Sequence, residues 1–220
     1  MQPFAREFVQ LAIECRALRF GSFNLKSGRV SPYFFNAGAF NDGRSLARLG
    51  RCYAAALNAA GLQFDMLYGP AYKGIPLVTA TAIALALADG HGRNLPWAFN
   101  RKEAKDHGEA GAIVGAPLHG RVVIVDDVIT AGTAIRESVE LIRQAGATPV
   151  AVALALDREE RGQGTRSAVQ EVEADYGLSC VSIVTLSTLI ATLLAGGNAL
   201  CEAATLDAMR RYRESYGTHS

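Results

Sequence analysis

Between Val122 and Ala134 the chain reads Val-Val-Ile-Val-Asp-Asp-Val-Ile-Thr-Ala-Gly-Thr-Ala, and no other stretch constrains the fold as tightly. The apolar β-branched run Val122 to Val125 predicts a buried strand. Asp126 and Asp127 close that strand, and a small hydroxyl-bearing turn follows from Thr130 to Thr133. Beyond it Ile135, Val139 and Ile142 recur at helical spacing, so the turn sits where a helix begins. A helix N-terminus carries unpaired N–H groups and the positive end of the peptide dipoles, which makes this loop a cradle for a phosphate. Gly132 lets the backbone come close, and Thr130 and Thr133 add hydroxyl donors. The two carboxylates suit ribose hydroxyls, or waters around a magnesium ion. Together these parts describe a site for a phosphorylated ribose, although Asp-Asp before a turn also serves simply to cap a helix.

Around this motif short apolar runs alternate with helical patterns. Strands are expected at Phe64–Tyr68, Trp97–Asn100, Arg121–Val125, Pro149–Leu156 and Cys180–Leu186. Helices are expected at Gly74–Ala88, Thr133–Ala145 and Ser167–Tyr176, with shorter ones toward the C-terminus. That order implies a mainly parallel sheet wrapped by helices, with ligands beyond the carboxyl ends of the strands. Phe4, Phe8, Leu11, Cys15 and Leu18 share a helical face that Gly21 would end. Phe23–Phe35 reads as a hairpin turning at Ser27-Gly28, with Pro32 favouring an edge position. Asn41 or Asp42 is positioned to cap a helix carrying Leu46, Leu49, Tyr53, Ala56 and Leu57. The expected organisation is one domain over 1–220, with helix and hairpin 1–40 as a hood on an α/β core, 41–220.

Composition narrows the function classes. A formal net charge of +1 provides no global field to recruit nucleic acid or an anionic membrane, so any anion site must be local. Cys15, Cys52, Cys180 and Cys201 are far apart, without zinc or Cys-x-x-Cys spacing, and read as core thiols of a reducing compartment. Arg6, Glu7 and Glu14 interrupt the N-terminal apolar pattern, which argues against a signal peptide. The most apolar run, Ile83 to Ala88, is too short to span a bilayer. A cytoplasmic location follows as the expectation.

Two further loops carry chemistry. Tyr68-Gly-Pro-Ala-Tyr72-Lys73-Gly74 closes one strand and opens an apolar helix, placing Lys73 beside exposed N–H groups; an ordinary turn with a solvated lysine is the plainer reading. Arg101-Lys102-Glu103-Ala-Lys105-Asp106-His107-Gly108-Glu109 balances three Arg/Lys cations against three acids, so it is no generic polyanion patch. Glycines near one end and no large apolar side chain suit a closing loop whose cations would stabilise a departing anion, although such charge runs are often plain solvated surface.

These blocks, with Asn24-Leu-Lys26-Ser-Gly-Arg-Val-Ser-Pro-Tyr-Phe34-Phe35-Asn, Asp157-Arg158-Glu-Glu-Arg161-Gly and the tail Arg211-Tyr-Arg-Glu-Ser-Tyr-Gly, resemble the orotate phosphoribosyltransferases nearly end to end. The resemblance implies the type I phosphoribosyltransferase fold, an α/β architecture with a mainly parallel, Rossmann-like sheet flanked by helices beneath a small N-terminal hood. It implies 5-phosphoribosyl 1-diphosphate (PRPP) and orotate as substrates, Mg²⁺ as cofactor with no direct protein ligand, and a homodimer sharing its mobile loop across subunits. By position, PRPP would be bound by Lys26, Tyr72, Lys73, Arg101, Lys102, Lys105, His107, Asp126, Asp127 and the run Val128, Ile129, Thr130, Ala131, Gly132, Thr133 and Ala134. Orotate would meet Lys26, Phe34, Phe35, Thr130 and Arg158. Lys105, Asp126, Asp127, Lys102 and His107 would be catalytic, and the Ala71-Tyr72 peptide would be cis. Ala110 departs from the family, whose members tend to carry glycine there.

On physical grounds Arg158 can bind a ring carboxylate through two parallel N–H bonds, as lysine cannot. Because neighbours on a strand face opposite ways, at least one of Phe34 and Phe35 should be core. A purine or uracil phosphoribosyltransferase, and a PRPP-sensing regulator without catalysis, are the competing readings.

Overall fold

The computed structural model describes residues 2–25, 27–87, 92–102, 112–130, 132–162, 164–197 and 200–218. Six strands form the central sheet: β3 (Met66–Gly69), β4 (Trp97–Asn100), β5 (Ile113–Gly115), β6 (Arg121–Asp126), β7 (Thr148–Asp157) and β8 (Ser179–Thr185). Their order is β5-β4-β3-β6-β7-β8, parallel throughout except for β5, which runs antiparallel to β4. This is the mainly parallel, helix-flanked α/β sheet expected from the sequence.

Strand alternation sorts the core into two layers. Val123 and Val125 of β6 face the helices α1 (Pro3–Glu14), α2 (Gly43–Ala59), α3 (Gly74–Ala86) and α6 (Leu186–Gly196). Val122 and Ile124 face α4 (Thr133–Gln144) and α5 (Ala168–Tyr176), meeting Ile135, Val139, Ile142 and Val172. With both faces covered, a strand needs apolar residues at every position, which is why β6 reads as an unbroken apolar run. Asp42 caps α2 by accepting from the Ser45 N–H at 2.9 Å, in a capping box with the Ser45 hydroxyl. Ser167 and Gln170 form the same device on α5.

The N-terminal segment differs from its sequence reading. α1 ends at Glu14, and Arg16 rather than Gly21 supplies the left-handed residue (φ 55°) that turns the chain. Leu18 therefore belongs to β1 (Leu18–Asn24), opposite Phe35 of β2 (Val30–Phe35), and Gly21 lies inside β1 where the pairing slips between Phe20 and Phe23. Helical spacing at Leu18 was coincidental: the residue is buried through the hairpin. Toward the C-terminus, Leu186 opens α6 behind a Thr185 cap instead of ending β8. α7 (Ala203–Tyr216) has 14 residues, so it is longer than α4 with 12. β5 was not anticipated; three residues leave almost no periodicity to read.

α2 and α3 cross closely at Gly50, where a Cβ would lie 2.4 Å from the Ala80 carbonyl oxygen. Backbone cannot yield as a side-chain tip can. Gly50→Ala should therefore destabilise the chain by about 1–3 kcal/mol despite alanine's better helix propensity, read as a lower denaturant midpoint. An unchanged midpoint would show that the helices can separate freely.

Candidate active site

Four of the five parallel strands, β3, β4, β6 and β7, deliver their loops to this site at the carboxyl edge of the sheet, and side chains tie the loops after β3, β4 and β6 together. Lys73, in the loop after β3, donates from Nζ to Asp127 Oδ2 at 2.7 Å after β6. The Ala71 N–H donates to Asn100 Oδ1 at 2.8 Å, joining the same loop to the end of β4. Lys102 Nζ lies 5.4 Å from the centre of the exposed Tyr72 ring. The Ala71–Tyr72 peptide is cis, as the sequence resemblance implied. Gly69 and Gly74 allow the tight loop: a Cβ on Gly69 would lie 2.3 Å from the Gly74 carbonyl oxygen.

The acidic pair is held from several directions. Asp126 Oδ1 accepts from the Asp127 N–H at 2.8 Å, and Asp127 Oδ1 accepts from the Val128 N–H at 2.9 Å. From beneath, the buried Tyr53 hydroxyl donates to the Asp126 carbonyl oxygen at 2.8 Å. After the pair, Val128 and Ile129 are half-buried and Thr130 is exposed. Gly132 begins α4 in the left-handed region (φ 70°) and supplies no side-chain cap, so the first-turn N–H groups of Thr133 and Ala134 are left for another acceptor. A Cβ there would meet nothing closer than 3.9 Å; the glycine is required by conformation rather than space.

Arg158 follows β7 directly and turns under the hood. Its Cζ lies 4.8 Å from the Tyr33 ring centre, and Nε and Nη2 both donate to Glu160 Oε1. Phe34 and Phe35 separate as strand geometry demands. Phe35 packs into the core with Phe8 and Phe40, so its ring is unavailable to a ligand and only its backbone could take part. Phe34 stands on the other face of the hairpin, half-buried against Phe23 with the Arg19 guanidinium 5.2 Å away. The aromatic ring that meets Arg158 is Tyr33, which the sequence reading passed over. Alternation on β2 would have found it, since Tyr33 shares Phe35's face. Arg101 is half-buried beside these loops. Lys26, Lys105, His107 and Ala131 lie outside the described residues.

Burial first, and the Asp127 carboxylate second, push the Asp126 carboxyl up to about 7 from an ordinary value near 3.8. A raised folded-state value means that the native chain holds this proton more tightly than the unfolded one. Asp126 therefore costs nothing below pH 4 and reduces stability as pH rises through the window up to about 7. Asp126→Asn keeps an acceptor for the Asp127 N–H without the charge. Its melting temperature should gain on the native chain between pH 4 and pH 8 by at least about 2 °C, the shift ~1 kcal/mol produces at this size. A gap that stays constant across that range would contradict the assignment.

Among the described residues no cluster of three His, Cys, Asp or Glu side chains could enclose a metal ion. Two adjacent carboxylates partly committed to Lys73 and backbone N–H groups suit an ion coordinated mainly by substrate oxygens and water.

The phosphoribosyl transferase domain family matches residues 36–176 of this chain. The orotate phosphoribosyltransferase of Thioalkalivibrio sulfidiphilus is 63% identical over 217 residues, 99% of this chain and 100% of that protein. That of Yersinia enterocolitica is 58% identical over the same shares. The solved orotate phosphoribosyltransferase of Francisella tularensis superposes with a TM-score of 0.83 at 37% identity, covering 96% of this chain and 99% of that one. The family match stops short of the hairpin and the C-terminal helices, and the end-to-end identities extend the likeness over both. This chain belongs to the phosphoribosyl transferase domain family, within its orotate phosphoribosyltransferases.

Proposed function

We propose that this chain transfers the 5-phosphoribosyl group from PRPP to N1 of orotate, yielding orotidine 5′-phosphate and diphosphate. The observation that carries the reading is full-length identity of 63% to a named orotate phosphoribosyltransferase, in a chain whose phosphate-type loop, acidic pair and buried arginine share one sheet edge. The N-terminus of α4 holds the 5′-phosphate through Thr130 to Ala134, with Val128 and Ile129 lining the PRPP site beside it. Asp126 and Asp127 fix the ribose hydroxyls and favour the positive charge that grows at carbon 1 as the bond to diphosphate lengthens. Tyr72, Lys73, Arg101 and Lys102 bind the diphosphate, joined by Lys105 and His107. Arg158, Lys26, Thr130 and the backbone around Phe34 and Phe35 hold orotate. Mg²⁺, carried by PRPP and its waters, neutralises the leaving group's charge when bound. Bringing two substrates into one geometry accounts for much of the acceleration.

The same reading makes residues 1–220 one domain with 1–40 as its hood. It places the enzyme in the cytoplasm, as a homodimer whose 101–111 loops complete the neighbouring site. Both hydrophobic layers share one sheet, which supports the single domain, and no described helix is long and apolar enough to cross a membrane.

Mixing pure protein with PRPP, Mg²⁺ and orotate should consume orotate absorbance and release diphosphate. Uracil and hypoxanthine should react with kcat/KM at least about a hundredfold lower, because a base without the carboxylate leaves the outer Nη edge of Arg158, beyond its Glu160 contact, without an acceptor in a largely enclosed place. Comparable turnover of either base would overturn the substrate assignment. Lys105→Ala should lower kcat by about tenfold or more, ~1.4 kcal/mol of barrier, with a smaller change in the KM for orotate. Unchanged turnover in steady-state assays would remove the loop from the chemistry.

A further inference from the structure

Glu160, which has no part in the reading above, holds Arg158 from one side. Arg158 donates from Nε at 2.8 Å and from Nη2 at 2.6 Å, both to the single oxygen Oε1 of Glu160. The pair is largely buried, with the two side chains 15% and 13% exposed. The other oxygen, Oε2, lies 3.6 Å from Nη1 of Arg29, which reaches across from the hood hairpin.

The loop does not need this carboxylate for its own shape. Asp157 Oδ1 accepts from the Glu159 N–H at 2.8 Å, and Glu159 Oε2 accepts from the Ser187 N–H at 2.7 Å. The Arg161 N–H donates to the Tyr216 carbonyl oxygen at 2.9 Å. The segment on either side of Glu160 is thus anchored to the start of α6 and to the end of α7 by other groups. The Glu160 side chain itself meets the Arg158 guanidinium at short range, with the Tyr33 hydroxyl donating to the same Oε1 at 3.5 Å and Arg29 beside Oε2.

A guanidinium offers a carboxylate two faces: the side-on pair Nε and Nη2, and the end-on pair Nη1 and Nη2. Glu160 fills the first. Nη1 has no hydrogen-bond partner among the described residues, and each Nη nitrogen carries two hydrogens. The Tyr212 hydroxyl, buried and without a hydrogen bond of good geometry, is near enough to feel both charges. Counting charges, Arg29 and Arg158 against Glu160 leaves one net positive charge, which one ring carboxylate neutralises.

We propose that Glu160 is a positioning residue for orotate recognition: it clamps Arg158 by its Nε edge so that only the Nη1/Nη2 end is presented to the substrate carboxylate. The proposal rests on the assignment of Arg158 to orotate. Without the clamp the guanidinium keeps its charge but loses its orientation. Affinity for orotate suffers, and PRPP, bound at the neighbouring loops, does not register the change.

Four variants test this by steady-state kinetics in both substrates, each with a melting temperature. Glu160→Ala should raise the KM for orotate about tenfold or more while the KM for PRPP stays within about twofold. Glu160→Gln should recover most of that loss, because one amide oxygen can accept both Arg158 donors as Oε1 does. Arg29→Gln removes the ion pair from Glu160 to the hood, leaves the Tyr33 contact in place, and should leave the KM for orotate near native. If Glu160→Ala fails to fold, Glu160→Asp carries the same expectation, since it keeps the charge and withdraws the oxygen. A native orotate KM in the Ala or Asp variant overturns the proposal. So does an equal rise in the PRPP KM, or the same rise in Arg29→Gln, since either marks a general loss of structure. Arg158→Lys separates the two assignments. If it leaves the orotate KM native, Arg158 does not bind orotate and both readings fall; if it alone impairs orotate, only the role of Glu160 falls.

Discussion

Lys73 reaches Asp127 at 2.7 Å because β3 and β6, which precede them, are hydrogen-bonded neighbours in the sheet although more than fifty residues apart in sequence. The pairing of Tyr68 with Ile124 sets both loops at the same height above the sheet. A cation placed there by covalent connection to one strand and an anion placed by the other need no loop search to meet. Their contact joins the loop after β3 to the acidic pair after β6, and the loops after β4 and β7 take positions around them. Asn100 ties in the end of β4, while Arg158 enters from β7. Shift β6 by one residue against β3, and Asp126 would exchange its face with its neighbour; the site would vanish with the register.

That arrangement is electrostatically tense, and the tension is local. Asp126 and Asp127 stand side by side at the end of a strand buried on both faces, with Asp126 relieved by the Asp127 N–H and Asp127 by Lys73 and the Val128 N–H. Lys73 is more than half exposed, so its solvated charge offsets only part of the repulsion. Stability is given up at this pair, a departure from local consistency of the kind proteins concentrate at functional sites.

Much of this was legible because its causes are local. An unbroken apolar run, an acidic pair and a glycine-threonine turn name a strand end and a helix start without reference to the rest of the chain, and β6, β7, α4 and α5 lie close to their expected limits. The cis peptide at Ala71–Tyr72 followed from family likeness alone. The obscure parts depend on distant partners. Leu18 kept helical spacing with α1 yet is buried by the hairpin, and Arg16 turned the chain where a glycine was expected. Phe34 and Phe35 drew notice as a pair, whereas Tyr33, one position earlier and on the core side, meets the arginine. Glu160 sits two residues from Arg158, but its second charged partner, Arg29, comes from the hood hairpin, and no local pattern points to it.

The strand least visible in the sequence has its own consequence. A sheet must end somewhere, and a long bare edge invites another chain to add itself strand by strand toward fibrous stacking. β5 ends this one with three residues, running against its neighbour. Gly115 leaves it with φ 104°, so near the Trp97 carbonyl oxygen that a Cβ would sit 2.5 Å away. Such a short, abruptly turned rim gives an intruding strand little backbone to template on.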